Sequence, residues 1–313
     1  MNKREREVQQ VYLDNENAVL KELELAYKDA LKQINRKLEA LMARQDADMA
    51  HVIYQIEYQK NLKTQVQSIL EELQTREFET LSEFLSGSYE DGFIGTMYDL
   101  HGQGIEMILP IDQEQMIEAI QHETKLSESL YETLGVDVKD LQKKISGEIS
   151  RGIASGMIYS DIARNISAMS NIPLNRAMTI ARTESHRIQN KASYNASKTA
   201  KSKGADIVKI WDSALDKKTR TTHRQLDGQI RELDDPFEIG GKKAMYPGEF
   251  GDPAEDVNCR CAYITRNRSR LGAEYTKWSE DAANLDFDAP LVTIKANGYE
   301  DFKKKYKQEA KNE

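Results

Sequence analysis

The two cysteines of this 313-residue chain, Cys259 and Cys261, stand one residue apart around Arg260. That spacing places the two thiols poorly for a disulfide with each other. Zinc takes four soft or imidazole ligands in a tetrahedron. Cys259, Cys261 and His223 would supply three, and His186, Asp212 or Asp216 could offer the fourth. Zinc ligands are usually two to four residues apart. The competing reading is therefore two small buried side chains that close a core.

His223 also belongs to a second set. Asp216 and Arg220 precede it within one or two helical turns, and Asp227-Gly228 follow. Such a cluster could work as a general acid and base. It could equally be a hydrogen-bond clamp ordering a loop-rich unit with little core. The sequence has no Gly-x-Ser-x-Gly and no His-Glu-x-x-His, so no activated nucleophile or zinc-protease helix is visible. Gly102-Gln103-Gly104 lacks the third glycine and the Lys-Ser/Thr of a phosphate-binding loop. The residues read better as fold-holding than as catalytic, and no enzyme is expected. The alternative is a metal-dependent or histidine-based enzyme acting on nucleic acid or protein.

A third set lies on a helix. In Ala181-Arg182-Thr183-Glu184-Ser185-His186-Arg187, Glu184 is one turn from Arg187. The pair is either a salt-bridged brace or part of an arginine-rich face for phosphate contacts. Charge keeps the second reading open. The whole chain is at −8, yet residues 176 to 231 carry thirteen Lys/Arg against five Asp/Glu. Arg176, Arg182, Arg187, Lys191, Lys198 and Lys201 are the candidates for sequence-independent contact with double-stranded DNA. A solvated helix face is the plain alternative.

The elements that must position these residues follow from periodicity. Leu20, Leu23, Tyr27, Leu31, Ile34, Leu38 and Leu41 recur at steps of three and four, one stripe of a helix. Ile53, Ile56, Val66, Ile69 and Leu73 continue it after a break near Gln45-Asp46. Residues 1–85 are thus a long helical region. Residues 86–172 read as a loop-rich joint followed by helices, because Gly87, Gly92, Gly95, Gly102 and Gly104 crowd its start. Separate helices are expected over Asp137–Ile149 and Ser160–Met169, the latter capped by Ser160-Asp161. Pro173 opens a basic helix that Gly204 caps.

Ile207 to Trp211 is β-branched and short, a strand. Asp227-Gly228 marks a tight turn, the glycine- and proline-rich stretch from Pro236 to Pro253 a loop, and Ala262 to Thr265 a closing strand. Residues 173–266 therefore combine the basic helix with a small α+β unit, and 267–313 form a peripheral extension with a basic tip at Phe302 to Lys307. The expected fold is mainly α, an extended helical N-terminal body followed by a small α+β module. No run approaches the roughly 18 apolar residues that span a bilayer, and the start is no secretory signal. Synthesis in a cytoplasm and no membrane partner are expected.

One ordered series remains. It comprises Ala181-Arg182-Thr183-Glu184, Trp211, Asp216-Lys217-Lys218-Thr219-Arg220 with His223, Leu226-Asp227-Gly228, Pro236-Phe237, Tyr246-Pro247-Gly248 and Asn258-Cys259-Arg260-Cys261. In that order, over about Pro173 to Ile264, it resembles the Mu F-like head morphogenesis family of minor head proteins of tailed bacteriophages. The family usually shows Asp-x-Arg-Thr where this chain places Arg220 after Thr219. The resemblance implies a few copies inside the procapsid, contact with the portal and other head proteins, and help with head assembly and with DNA packaging or delivery. It implies location in the capsid interior of the virion, reached from the host cytoplasm. Members are sometimes fused to toxin domains, and the 40-odd residues after Asn267 are too few and too featureless for one.

Overall fold

The computed structural model describes residues 1–45, 52–120, 125–155, 157, 159–271 and 293–311. The architecture is mainly α with a small α+β part near the end. Two compact units emerge: residues 17–83 with 129–181, and residues 1–16 with 84–128 and 182–313.

Four long helices supply the first of these units: α1 (Lys3–Gln45), α2 (Val52–Gly102), α4 (Lys125–Ala154) and α5 (Tyr159–Ser202). Its core is the stripe that the sequence marks. Tyr27, Ile34 and Leu38 of α1 meet Leu62, Val66, Leu70 and Leu73 of α2, Leu141 and Ile145 of α4, and Ile162 and Ile166 of α5. Each such aliphatic side chain contributes about 1.5–3 kcal/mol over leaving it in water. A smaller cluster gathers Leu20, Leu23, Leu81, Ala177 and Ile180. The side chains of Leu41, Ile53 and Ile56, and the break at Asp46, lie outside the described residues.

In the second unit the expected loop-rich joint is mostly helix, and among the described residues its loop is confined to residues 103–112. The α2 helix runs unbroken through Gly87, Gly92 and Gly95 to Gly102. Two of these glycines are contact points. A Cβ on Gly92 would stand 2.2 Å from the Gln189 carbonyl oxygen, and one on Gly95 would stand 2.6 Å from Val8 Cγ1. Glycine lets helix backbones approach closely, a use that looks like loop chemistry in the sequence. A short helix, α3 (Gln113–Ile120), follows.

Pro173 does not open a helix either, because α5 runs through it from Tyr159 to Ser202. Proline removes one backbone hydrogen bond inside a helix, and here Leu174 and Ala177, which follow it, pack into a buried apolar cluster. Ser160-Asp161 is inside the first turn rather than capping it, and Asp161 pairs with Arg164 at 3.0 Å. The expected helix over Asp137–Ile149 is part of the longer α4.

The central strand β1 (Ile207–Asp212) lies between β2 (Ile230–Arg231) and β5 (Ala262–Asn267), both antiparallel to it. Ile207, Val208, Lys209 and Trp211 are all buried, so both faces of β1 are covered. Between β2 and β5 the supposed loop holds a hairpin, β3 (Phe237–Ile239) with β4 (Lys242–Ala244). Gly240 and Gly241 both have positive φ, 56° and 79°, the two-residue turn that matches strand twist.

The C-terminal extension is not peripheral. Helix α8 (Tyr299–Glu309) buries Tyr299, Phe302 and Tyr306. The Tyr306 hydroxyl donates to the Leu109 carbonyl at 2.7 Å and accepts from the Leu109 N–H at 2.8 Å. Its basic tip is paired: Lys303 with Asp91 and Lys307 with Glu90. Residues 272–292 are outside the described residues. Among the described residues no helix is long and apolar enough to cross a membrane.

Candidate functional site

The short helix α6 (Thr221–Leu226), the turn helix α7 (Pro253–Asp256) and the start of β5 bring the cysteines and His223 together. Asn258 has φ of 55°, a left-handed conformation that asparagine tolerates better than most residues. Its N–H donates to Thr183 Oγ1 at 3.1 Å. This turn aims Cys259 inward, and the next inward position is Cys261.

His223, Cys259 and Cys261 are all buried, and their ligand atoms lie within 4.8 Å of one another. His223 Nδ1 is 3.2 Å from Cys261 Sγ and 3.6 Å from Cys259 Sγ. The Cys261 N–H donates to Cys259 Sγ at 3.5 Å. The hydrogen bond between the two cysteines pulls the Cys261 thiol down to about 4 and pushes Cys259 up. On the far side of the ring, His223 Nε2 is 3.3 Å from Glu255 Oε2 without a well-aligned hydrogen bond. Glu255 accepts from Thr222 Oγ1 and from Lys242 Nζ, both at 2.9 Å. Trp211, fully buried, stacks edge-on to His223 with ring centres 5.6 Å apart.

Other candidates have separate partners. His186 is outside the cysteine cluster: its Nε2 donates to the Cys261 carbonyl at 2.5 Å, and burial lowers its pKa. Asp212 and Asp216 are also outside it. Asp216 takes a two-pronged pair from Arg260 and accepts the Lys218 N–H at 2.8 Å. The Arg260 hydrogen bond holds its carboxyl far below the usual range. Arg220 donates to the Val257 carbonyl at 2.6 Å. Asp227 accepts the Ser213 N–H at 2.7 Å, and Gly228, at φ 73°, donates to the Trp211 carbonyl at 2.8 Å. Glu184, Asp216 and His223 therefore do not form one acid–base set.

Glu184 and Arg187 are a brace. They are 1% and 2% exposed, with Arg187 Nη2 2.8 Å from Glu184 Oε2 and 2.8 Å from the Ala119 carbonyl. A Cβ on Gly248, at φ 95°, would meet Arg187 Cβ at 3.1 Å. Arg187 thus cannot serve as a DNA contact, because burial and its partners take it from solvent. Of the rest, Arg176 pairs with Asp137, Arg182 with Glu16 and Lys201 with Asp234. Lys191 lies over the Tyr246 ring and Lys198 over Tyr194.

The scattered motifs therefore converge. Thr183 meets Asn258, His186 meets Cys261, Arg187 meets Gly248, Asp216 meets Arg260, and Trp211 meets His223 and Phe237. Residues 143–264 match the family described as phage Mu protein F like protein. Over that span the chain is similar to the Mu F-like family. The Mu F-like segment begins earlier than the motif series, within α4, and ends with it at Ile264.

Two curated proteins match most of the chain. The NAD(+)–arginine ADP-ribosyltransferase EFV of Enterococcus faecalis is 28% identical over 265 residues, 84% of this chain and 54% of that protein. The minor head protein GP7 of Bacillus phage SPP1 is 29% identical over 262 residues, 81% of this chain and 84% of that protein. An uncharacterized protein of Haemophilus influenzae is 30% identical over 123 residues, 39% of this chain and 24% of that protein. The chain spans about half the length of the transferase. No solved structure matches it.

Sequence reasoning missed Glu255, Lys242, Ser213 and Asn190. Asn190 donates to the Cys261 carbonyl at 3.2 Å and accepts the Tyr263 N–H at 2.8 Å. Its position one turn after His186 was the available signal.

Proposed function

We propose that this chain is a minor head protein of a tailed phage or prophage. It binds the portal and other head proteins inside the procapsid and assists head assembly and DNA packaging or delivery. The observation that carries this reading is the similarity to minor head protein GP7, which covers more than four-fifths of both chains. The alignments to GP7 and to the transferase must overlap over most of this chain, given their coverage. What it shares with the transferase is therefore largely what it shares with the head protein. Burial of His223, Cys259, Cys261 and Glu184 supports a role in holding the fold rather than meeting a substrate.

DNA contact narrows to Arg176, Arg182, Lys191, Lys198 and Lys201, three of which must exchange an ion pair for a phosphate. Binding to duplex DNA is expected to be weak and to fall steeply between about 50 and 200 mM salt. No binding at low salt, or binding indifferent to salt, counts against it. Co-expression with the portal and capsid proteins tests the other contact. The chain is expected to co-sediment with portal-containing procapsids, and its absence from them would refute portal association.

A further inference from the structure

The geometry points to a metal site at His223, Cys259 and Cys261, with zinc as the ion, water completing the tetrahedron, and Glu255 fixing the imidazole from behind. Zinc binds cysteine sulfur at about 2.3 Å and histidine nitrogen at about 2.0–2.1 Å, which sets the N-to-S edge of a tetrahedron at about 3.6 Å. The two N-to-S distances are 3.2 and 3.6 Å. The three ligand atoms, all within 4.8 Å of one another, are thus close to the spacing that a zinc ion requires. Two soft sulfurs with one imidazole select zinc over calcium or magnesium, which take oxygen ligands.

Three further observations fit a metal better than simple core packing. A metal-bound histidine usually directs its other nitrogen at a carboxylate. His223 Nε2 is buried without a well-directed hydrogen bond, 3.3 Å from Glu255 Oε2. That carboxylate is anchored by Lys242 and Thr222. The Cys261 N–H points at Cys259 Sγ, which stabilises a sulfur carrying negative charge. Finally, the ligands come from α6 and from the turn into β5, two short segments that a shared ion would tie together. The cluster needs no head role to bind metal, so the two readings stand or fall separately.

Cobalt(II) reports such a site directly in the full-length wild-type chain. Titration is expected to saturate at one ion per chain with thiolate-to-cobalt charge-transfer absorption, and zinc should displace it. Metal analysis of protein purified without chelator should find zinc, and chelator should lower the unfolding temperature. Glu255→Gln, which leaves all three ligands in place, should weaken zinc affinity by about 10–100-fold. Cys259→Ser with Cys261→Ser should abolish the cobalt signal. The proposal is overturned if the reduced wild-type chain shows no charge-transfer band, or if the double variant binds as much metal as the wild type. It is equally overturned if Glu255→Gln binds zinc as tightly as the wild type.

Discussion

Arg187 carries a charge into a place where almost no water reaches, so its partners decide what its loss costs. Arg187→Ala would leave Glu184 buried and uncompensated, a change that destabilises by about 3–5 kcal/mol. The midpoint of urea unfolding should fall accordingly, and a loss below about 1 kcal/mol, the range of a surface pair, would contradict the brace. Glu77 is one of the pH-sensitive residues. Burial pushes its carboxyl up to about 8, with the Tyr27 hydroxyl 3.3 Å away. The folded state then holds a proton that the unfolded state releases near 4.5. Stability from this group is full below about pH 4.5 and is lost as pH rises toward 8. Glu77→Gln should flatten that slope, as urea midpoints at pH 5 and pH 8 would show, and an unchanged slope would assign the effect elsewhere. The sequence shows that Arg187 and Glu184 are charged and one turn apart. It does not show that both are buried, and that fact turns a candidate DNA contact into a brace.

Helices here are set by apolar steps, and glycines are placed by what touches them. Gly92 and Gly87 lie on the same helix with opposite surroundings. Gly92→Ala should drive a methyl group into the Gln189 carbonyl and cost about 1–3 kcal/mol. Gly87 has nothing within 4 Å of an added Cβ, so Gly87→Ala should stabilise by about 0.5–1 kcal/mol. Thermal unfolding of both variants checks the pair, and equal effects would mean that α2 does not pack as described. This contrast explains which elements were readable. The leucine stripe of α1 has one periodic cause, and strands β1 and β5 have β-branched runs, so all three were legible. Glycines in α2 and Pro173 in α5 look like breakers until neighbours more than ninety residues or whole helices away are known. The Gly240-Gly241 hairpin reads in the sequence only as loop, because its strands are three residues each, too short for a period-two pattern. The site was legible as a list, His223 with Cys259 and Cys261. Its supports, Glu255 and Lys242, were not, because their meeting depends on how α6, α7 and β4 fold together.

For the molecule as a whole, charge and identity point in different directions. The chain is acidic overall, with a local positive excess over residues 176 to 231. Much of that excess is spent within the fold: Arg187 on Glu184, Arg182 on Glu16, Lys201 on Asp234 and buried Lys209 on the Leu233 and Met245 carbonyls. Protein partners therefore carry more of the account than DNA does. The motif series of the Mu F-like segment is used to close its own small unit, which leaves outer surfaces for assembly. The central claim is that this chain is built into phage heads. Mass spectrometry of purified, DNA-filled particles, from cells in which the phage or prophage encoding it is induced, tests that claim most directly. Peptides from residues 143–264 should be recovered from those particles alongside the portal protein, whereas particles that contain portal and DNA but none of these peptides would contradict it.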